Sequence, residues 1–419
     1  MKRVVITSMG AVTPIGNNVV EFWDGIKSKK CGIDEITLFD TTKHKVHLAG
    51  EVKNLEVEKL LTPKERKRLD RFSQFAMIAS RELMENSKLD MEKVDRTRFG
   101  VFVSTGIGGL DTIATNAVNC NNIGPEKVSP FFIPTAIVNM AAGNIAIDLG
   151  IYGESASIVT ACASATHSIG EAYRTIKHGY QDLMIAGGTD ATIDPLGISG
   201  FANIKALSTE TDKTKVSIPF DKNRSGFAMG EGAGLILLED YEHAKKRGAN
   251  ILAEIVGYSA TTDGIHITSP DAEAKAATRA MRNCFDEANL EENIGNGSIY
   301  INAHGTSTPL NDKCESLAIN NLIKTIKDES VKEKVYVSST KGYTGHLLGA
   351  AGGIEAVICV KALSEDLMPS NLGCKEIDEE CNVNVILDDV KNENLKYAMS
   401  NSLGFGGHNS TILLKKYEG

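Results

Sequence analysis

Ile158-Val159-Thr160-Ala161-Cys162-Ala163-Ser164-Ala165-Thr166 runs from a β-branched stretch through a cysteine into small residues. Downstream, Ala165, Ile169, Ala172 and Ile176 recur at helical spacing, and His178-Gly179 supplies a basic last turn and a glycine stop. Gly170 permits close packing one turn in. The segment predicts a strand, a sharp turn and a helix with Cys162 in its first turn. A thiol so placed faces unpaired backbone N–H groups and the positive end of the helix dipole, and both favour thiolate. The layout suits an activated nucleophile. Taken alone, it suits a buried structural cysteine equally well.

Outward from this junction, strand-like runs alternate with helical ones. They include Val4–Ile6, Val101–Val103, Ser157–Val159, Leu183–Ile185 and Leu235–Leu238. After residue 250 the pattern begins again with Ala253–Val256, Tyr300–Ile301, Val335–Val337 and Asn384–Ile386. Such alternation predicts an α/β fold with helices on both sides of sheets. Two similar halves meeting near residue 250 are expected, and no low-complexity linker separates them.

Bulk composition narrows the function classes. The chain has 419 residues, of which 42% are hydrophobic and 24% charged, as in ordinary water-soluble globular proteins. A formal net charge of −9 argues against general binding to nucleic acid or anionic membranes. The N-terminal Met1-Lys2-Arg3-Val4-Val5-Ile6 is too short in apolar residues for a signal segment, and no run approaches a membrane span. Eight cysteines without a C-x-x-C pair indicate free thiols, not a zinc knuckle or dithiol. A cytoplasmic protein is expected.

Two histidines stand in glycine-rich turns: His304 in Asn302-Ala-His-Gly-Thr-Ser-Thr, and His346 in Lys341-Gly-Tyr-Thr-Gly-His-Leu-Leu-Gly-Ala-Ala-Gly-Gly. Loops at strand ends commonly mount catalytic groups. No pair has metal-ligand spacing, so no metal is expected. The other seven histidines have weaker contexts. Gly230-Glu-Gly-Ala-Gly234 precedes a strand rather than following one, which excludes a dinucleotide loop. Thr62-Pro63-Lys64-Glu65 forms a capping box. Beyond it Lys64, Lys67, Arg68 and Arg71 share one helical face, opposite Leu69, Phe72 and Ala76. The stripe is either a solvated face or a seat for an acidic partner.

Five segments in order resemble the β-ketoacyl-acyl-carrier-protein synthases of the thiolase superfamily. They are Thr160-Ala-Cys-Ala-Ser, Arg224-Ser-Gly-Phe-Ala-Met-Gly-Glu-Gly-Ala-Gly, Asn302-Ala-His-Gly-Thr-Ser-Thr, Lys341-Gly-Tyr-Thr-Gly-His and Asn401-Ser-Leu-Gly-Phe-Gly-Gly-His-Asn. The resemblance covers the whole chain. The Cys-His-His set is similar to the elongating branch, and Ile107-Gly-Gly-Leu with Phe131-Phe-Ile-Pro-Thr-Ala-Ile-Val-Asn is similar to type II. It implies a thiolase-like fold, two similar α/β halves in a layered α-β-α-β-α core. Residues 1–250 would carry the cysteine and 251–419 the histidines.

The resemblance also implies roles. Cys162 would take an acyl chain from acyl carrier protein as a thioester. Malonyl-carrier protein would then lose CO2 and attack it, giving a 3-oxoacyl product two carbons longer. His304 and His346 would hold the malonyl thioester oxygen, Lys341 would tune their charge and Glu355 would support the cluster. The N–H groups of Cys162 and Phe405 would form the oxyanion hole, with Phe405 as a gate. Thr306 and Thr308 would bond the phosphopantetheine arm, and Thr268 would line the same tunnel. Lys64, Lys67 and Arg68, with Lys205 nearby, would dock the carrier protein. A homodimer is implied, with no cofactor of its own and no nucleic-acid or membrane partner.

Leu403, and Leu310-Asn311 after the His304 motif, depart from the family pattern without touching the catalytic set. A thiolase would need a second cysteine near Gly404-Phe-Gly-Gly-His, where there is none. A non-catalytic chain-length partner would lack Cys162. A polyketide-type ketosynthase shares the site, and remains the alternative to fatty-acid elongation.

Overall fold

The computed structural model describes residues 1–419. Its main sheet contains β1 (Val4–Val12), β2 (Phe99–Ser104), β3 (Ser155–Ala156), β4 (Leu183–Asp190), β5 (Gly232–Asp240), β6 (Ala253–Thr262), β7 (Ser298–Asn302), β8 (Val335–Ser338), β9 (Leu395–Gly404) and β10 (His408–Lys416). Across the sheet the order is β3-β2-β4-β5-β1-β6-β10-β9-β7-β8. One arrangement occurs twice. β3, β2 and β4 run parallel, and β5 and β1 follow antiparallel. β8, β7 and β9 run parallel, and β10 and β6 follow antiparallel. The two runs join only through Val4↔Ile255, Val5↔Glu254 and Ile6↔Ala253.

The helices beside these strands are α1 (Pro63–Arg68), which buries none of its residues, α2 (Arg71–Ser87), α3 (Met140–Leu149), α4 (Ser164–Lys177), α5 (Lys275–Glu287), α6 (Pro309–Thr325) and α7 (Ala351–Glu365). α4 packs on β4 and also on β10, while α7 packs on β9 and also on β5. These two helices therefore form a middle layer between the strand runs. α2 and α3 cover the outside of the first run, and α5 lies outside the second with α6 beside it.

Strand alternation explains the layering, because successive side chains point to opposite faces. In β5, Leu235 and Leu237 enter the outer core with α2 and α3, whereas Ile236 and Leu238 enter the middle core. In β7, Tyr300 faces the middle core and Ile299 and Ile301 face the core under α5 and α6. A sheet buried on both faces reads as a continuous apolar run, as Leu235-Ile236-Leu237-Leu238 does. The layered α-β-α-β-α core expected from the family resemblance is thus the observed one.

Some local expectations fail. Ser157–Val159 is not a strand; pairing ends at Ala156, and the chain leaves the sheet to reach the turn before α4. Asn384–Ile386 contributes only the isolated bridge Val337↔Val385. The basic stripe is not one helix either. α1 ends at Arg68, and α2 starts afresh at Arg71 behind the cap of Asp70. Arg71 then turns inward to pair with Glu231, whose side chain is fully buried. Its partner across the fold, not its spacing, fixes its direction. The capping box of Thr62 and Glu65 forms as read.

Gly170 lies where α4 crosses β6. A Cβ there would stand 2.0 Å from the ring of Tyr258, which is itself buried. Replacing a helical glycine by alanine ordinarily gains about 1 kcal/mol. Overpacking a filled core costs about 1–3 kcal/mol, and with no room for the ring to retreat this cost wins. Gly170→Ala is expected to lower the melting temperature, and an unchanged or higher value in thermal unfolding contradicts this packing.

Candidate active site

The turn before α4 is held in an unusual conformation. Ala161 takes φ 51°, a left-handed value that costs a non-glycine residue roughly 1 kcal/mol. Ser164 secures it, its Oγ accepting from Thr160 N–H at 2.9 Å and donating to the Ala161 carbonyl at 2.6 Å. His167 adds a second tie, with Nδ1 3.0 Å from both Thr160 Oγ1 and the Ala163 carbonyl. The residue pattern had given His167 no role; its position one turn into the helix becomes meaningful only once the turn is seen.

This turn places Cys162 one residue before the cap, Ala163, and not in the first helical turn. Its thiol is buried, and burial pushes the pKa up to about 12 against the opposing pull of Lys341. The resting form is therefore the thiol. The expectation of a thiolate held by the helix terminus is corrected, because desolvation outweighs the favourable charge nearby.

His304 follows β7, and His346 follows a short helical turn at Lys341–Thr344. The two rings meet edge to face, with centroids 5.1 Å apart. One ligand-type atom from each of Cys162, His304 and His346 lies within 4.8 Å of the others. Nδ1 of His346 accepts from the Leu348 N–H at 3.2 Å. That assignment leaves the proton on Nε2, which has no partner in the chain. Burial drives both imidazoles well below the ordinary histidine value, and the Lys341 ammonium adds to the effect. Neutral imidazole with a free N–H suits an oxyanion better than a metal ion.

Behind the rings, Lys341 is sealed from solvent and pairs with Glu355. Its Nζ also donates to the His304 carbonyl at 2.5 Å. Glu315, on α6, accepts from the N–H groups of His304 and Gly305 at 2.7 and 2.8 Å. Glu315 was not among the expected residues. Its spacing from His304 carries no signal, since the contact forms by folding α6 back over the loop.

Cys162, His304 and His346 open into a cavity of about 380 Å³. Thr268, Thr306, Thr308, Phe405 and Lys205 line the same cavity, as do Leu310, Asn311 and Leu403. The hydroxyls of Thr306 and Thr308 are 2.9 Å apart. Phe405 is half-buried beside Phe201, between glycines at positive φ (87° at Gly406, 73° at Gly407) and Gly404. A Cβ on Gly404 would approach Cys162 N to 3.3 Å, so the backbone ahead of Phe405 lies against the nucleophile's amide. Neither the Cys162 nor the Phe405 N–H donates to another backbone group. Lys341 and Glu355 lie behind the cavity wall. Lys64, Lys67 and Arg68 are exposed on and around α1 and are not part of the lining.

The chain resembles known proteins along most of its length. Residues 1–244 match the family model of the beta-ketoacyl synthase N-terminal domain, and residues 252–375 match that of its C-terminal domain. The chain is 45% identical over 417 residues to the 3-oxoacyl-[acyl-carrier-protein] synthase 2 of Staphylococcus aureus, covering 100% of this chain and 99% of that protein. It is 43% identical over 418 residues to the protein of the same name from Synechocystis sp., again over 100% and 99%. A solved beta-ketoacyl synthase from Burkholderia phymatum superposes with TM-score 0.89 at 31% identity, covering 100% of both chains. A polyketide ketosynthase, AntDE, solved with its acyl-carrier protein AntF, gives 0.89 at 30% identity over 100% of both. No helix of this chain is long and apolar enough to cross a membrane.

The depressed histidine values set a pH dependence. Because folding lowers both pKa values, the rings stay neutral from about pH 8 to below the ordinary value of about 6.5. The unfolded chain binds these protons first, so stability is complete above about pH 6.5 and declines as pH falls below it. A titration with ring-labelled histidine, followed by NMR, is expected to hold the His304 and His346 signals at their neutral shifts throughout. Midpoints near the ordinary value contradict the buried, Lys341-facing arrangement.

Proposed function

The chain belongs to the β-ketoacyl synthase family, and from that membership we propose that it is an elongating 3-oxoacyl-[acyl-carrier-protein] synthase, an acyltransferase of fatty-acid biosynthesis. The observation that carries the residue roles is the meeting of Cys162, His304 and His346 within 4.8 Å at one cavity. The repeated strand order supports reading residues 1–250 and 251–419 as two similar halves, one bringing the cysteine and the other the histidines.

In the first step Cys162 Sγ attacks the acyl thioester of the carrier protein. The new S–C bond forms, the carrier's S–C bond breaks, and the thiol proton ends on the departing carrier thiol. The N–H groups of Cys162 and Phe405 hold the tetrahedral oxyanion. Malonyl-carrier protein then binds, with Thr306, Thr308 and Thr268 along its phosphopantetheine arm. The C–C bond to the carboxylate breaks, CO2 leaves, and the electron pair moves to the thioester oxygen as an enolate. His304 and His346 stabilise that charge by donating from neutral rings, with Lys341 and Glu355 fixed behind them. The enolate carbon attacks acyl-Cys162, whose S–C bond breaks as the 3-oxoacyl product forms, and the released thiolate takes one proton from solvent to restore the thiol. The substrates arrive on the carrier, so the protein needs no metal or cofactor of its own.

Lys64, Lys67 and Arg68 are exposed and free of ion pairs, and Lys205 stands at the cavity rim. This favours an acidic carrier protein as the partner in a protein of net charge −9. A second copy of the chain fits against the open edge at β3. Phe131, Ile133, Ile137 and Ile147 are exposed on neighbouring elements, Ile147 at 77%. Sedimentation at monomer mass contradicts the dimer. We infer that the protein acts in the cytoplasm, in keeping with its acidic composition and its having no helix long and apolar enough to cross a membrane.

Loading purified protein with labelled acyl-carrier protein is expected to label Cys162, and Cys162→Ala to abolish the label. His304→Ala keeps the acyl-enzyme but lowers condensation about 10²–10³-fold, the usual effect of removing one oxyanion donor. Labelling of Cys162→Ala, or full condensation by His304→Ala, overturns the assignment. Reversing charge at Lys64, Lys67 and Arg68 together is expected to weaken carrier-protein affinity while iodoacetamide alkylation of Cys162 is unchanged. Wild-type affinity in that variant removes the docking claim.

A further inference from the structure

Asp190 ends β4 with no exposed surface, close behind the nucleophile turn, and none of the steps above uses it. Its Oδ2 accepts two backbone N–H groups, Gly106 at 2.8 Å and Gly349 at 2.9 Å. The three groups fit a notch that only side-chain-free residues leave open. A Cβ on Gly349 would lie 2.1 Å from Gly106 N, and one on Gly106 would lie 3.0 Å from Asp190 Oδ2. The carboxylate therefore ties the loop after β2 to the loop that precedes α7.

That second loop carries His346. Gly349 follows Leu348, which stands at φ 47°. In this left-handed conformation Leu348 directs its N–H to His346 Nδ1. The backbone of His346 is fixed separately, its N–H donating to the Ala228 carbonyl at 2.7 Å and its carbonyl accepting from Gly230 at 2.8 Å. So the ring's anchor is secure, and the group that selects its protonated nitrogen is the Leu348 N–H. Leu348 is held in place on its far side through Gly349.

We propose that Asp190 is a positioning residue which, through Gly349 and Leu348, fixes His346 as the tautomer protonated on Nε2. The proposal rests on the reading of His346 as an N–H donor to the enolate oxygen. The second carboxyl oxygen, Oδ1, is buried without a partner. An amide oxygen in the place of Oδ2 thus supplies the same acceptor, and burial already pushes the Asp190 carboxyl up to about 7. What the geometry asks of Asp190 is an acceptor oxygen at that point, which an amide fills without charge.

The test compares Asp190→Ala, Asp190→Leu and Asp190→Asn, with Leu filling the volume should the alanine variant fail to fold. Imidazole ¹⁵N shifts of His346 are expected to show mixed tautomers in the Ala or Leu variant and the wild-type tautomer in Asp190→Asn. Malonyl-carrier decarboxylation is expected to fall on the order of 10²-fold in the former, as misplacement of a reacting group does. Asparagine restores it, and acylation of Cys162 persists in all three. A wild-type His346 tautomer in the Ala or Leu variant overturns the proposal. So does an altered tautomer in Asp190→Asn, or a parallel loss of acylation and decarboxylation, which marks general loosening. If the tautomer shifts as expected but decarboxylation is unaffected, the positioning claim stands and the enolate role of His346 falls.

Discussion

Everything at the site hangs on the close contact of the two middle helices. A Cβ on Gly352 of α7 would stand 2.0 Å from Thr166 Oγ1 on α4, so these helices touch with almost no side chain between them. α7 approaches the first strand run as closely, since a Cβ on Gly353 would lie 2.2 Å from the Gly234 carbonyl. Close-packed interiors deform little. Two helices wedged between two strand runs have one relative position, and that position sets the site. Cys162 lies at the start of α4. His346 lies just before α7. Fixing the helices fixes the distance from sulfur to imidazole.

The middle layer also decides the electrostatics. Bringing Lys341 and Glu355 out of water is unfavourable unless they pair, and here they do, with the His304 carbonyl taking a further ammonium proton. Burial keeps both imidazoles neutral, and the buried cation beside them adds to the effect. Burial acts on Cys162 in the opposite sense, favouring the uncharged thiol. All three reacting groups therefore rest without charge. Preformed donors await charge that appears only during reaction, which is where such donors act most strongly.

Much of this was legible in the residues. Ala165, Ile169, Ala172 and Ile176 gave α4 through their spacing, and Leu235–Leu238 gave a two-sided strand. Five motifs in order gave the family, and with it Cys162, His304, His346, Thr306, Thr308 and Phe405 of the cavity wall, while Phe201, Asp263 and Pro270 joined that wall only on folding. What failed did so where a distant partner intervened. Arg71 looked like one more member of a basic face until Glu231, far along the chain, drew it inward. Glu315 and Asp190 had no motif to announce them, since each acts by accepting backbone N–H groups that the sequence does not display.

The sequence by itself determined the inventory and its local setting: a cysteine in the turn that leads into a helix, two histidines in glycine-rich turns, a lysine and a glutamate flanking the second of them, and a capped basic helix. Local propensity and periodicity are short-range, so short-range pattern suffices for them. Tertiary structure alone decided which nitrogen of His346 carries its proton, why the Cys162 thiol keeps its own, and which amides face the nucleophile. Those properties depend on burial and on partners brought together from opposite halves of the chain, and desolvation is a property of the packed interior rather than of any segment.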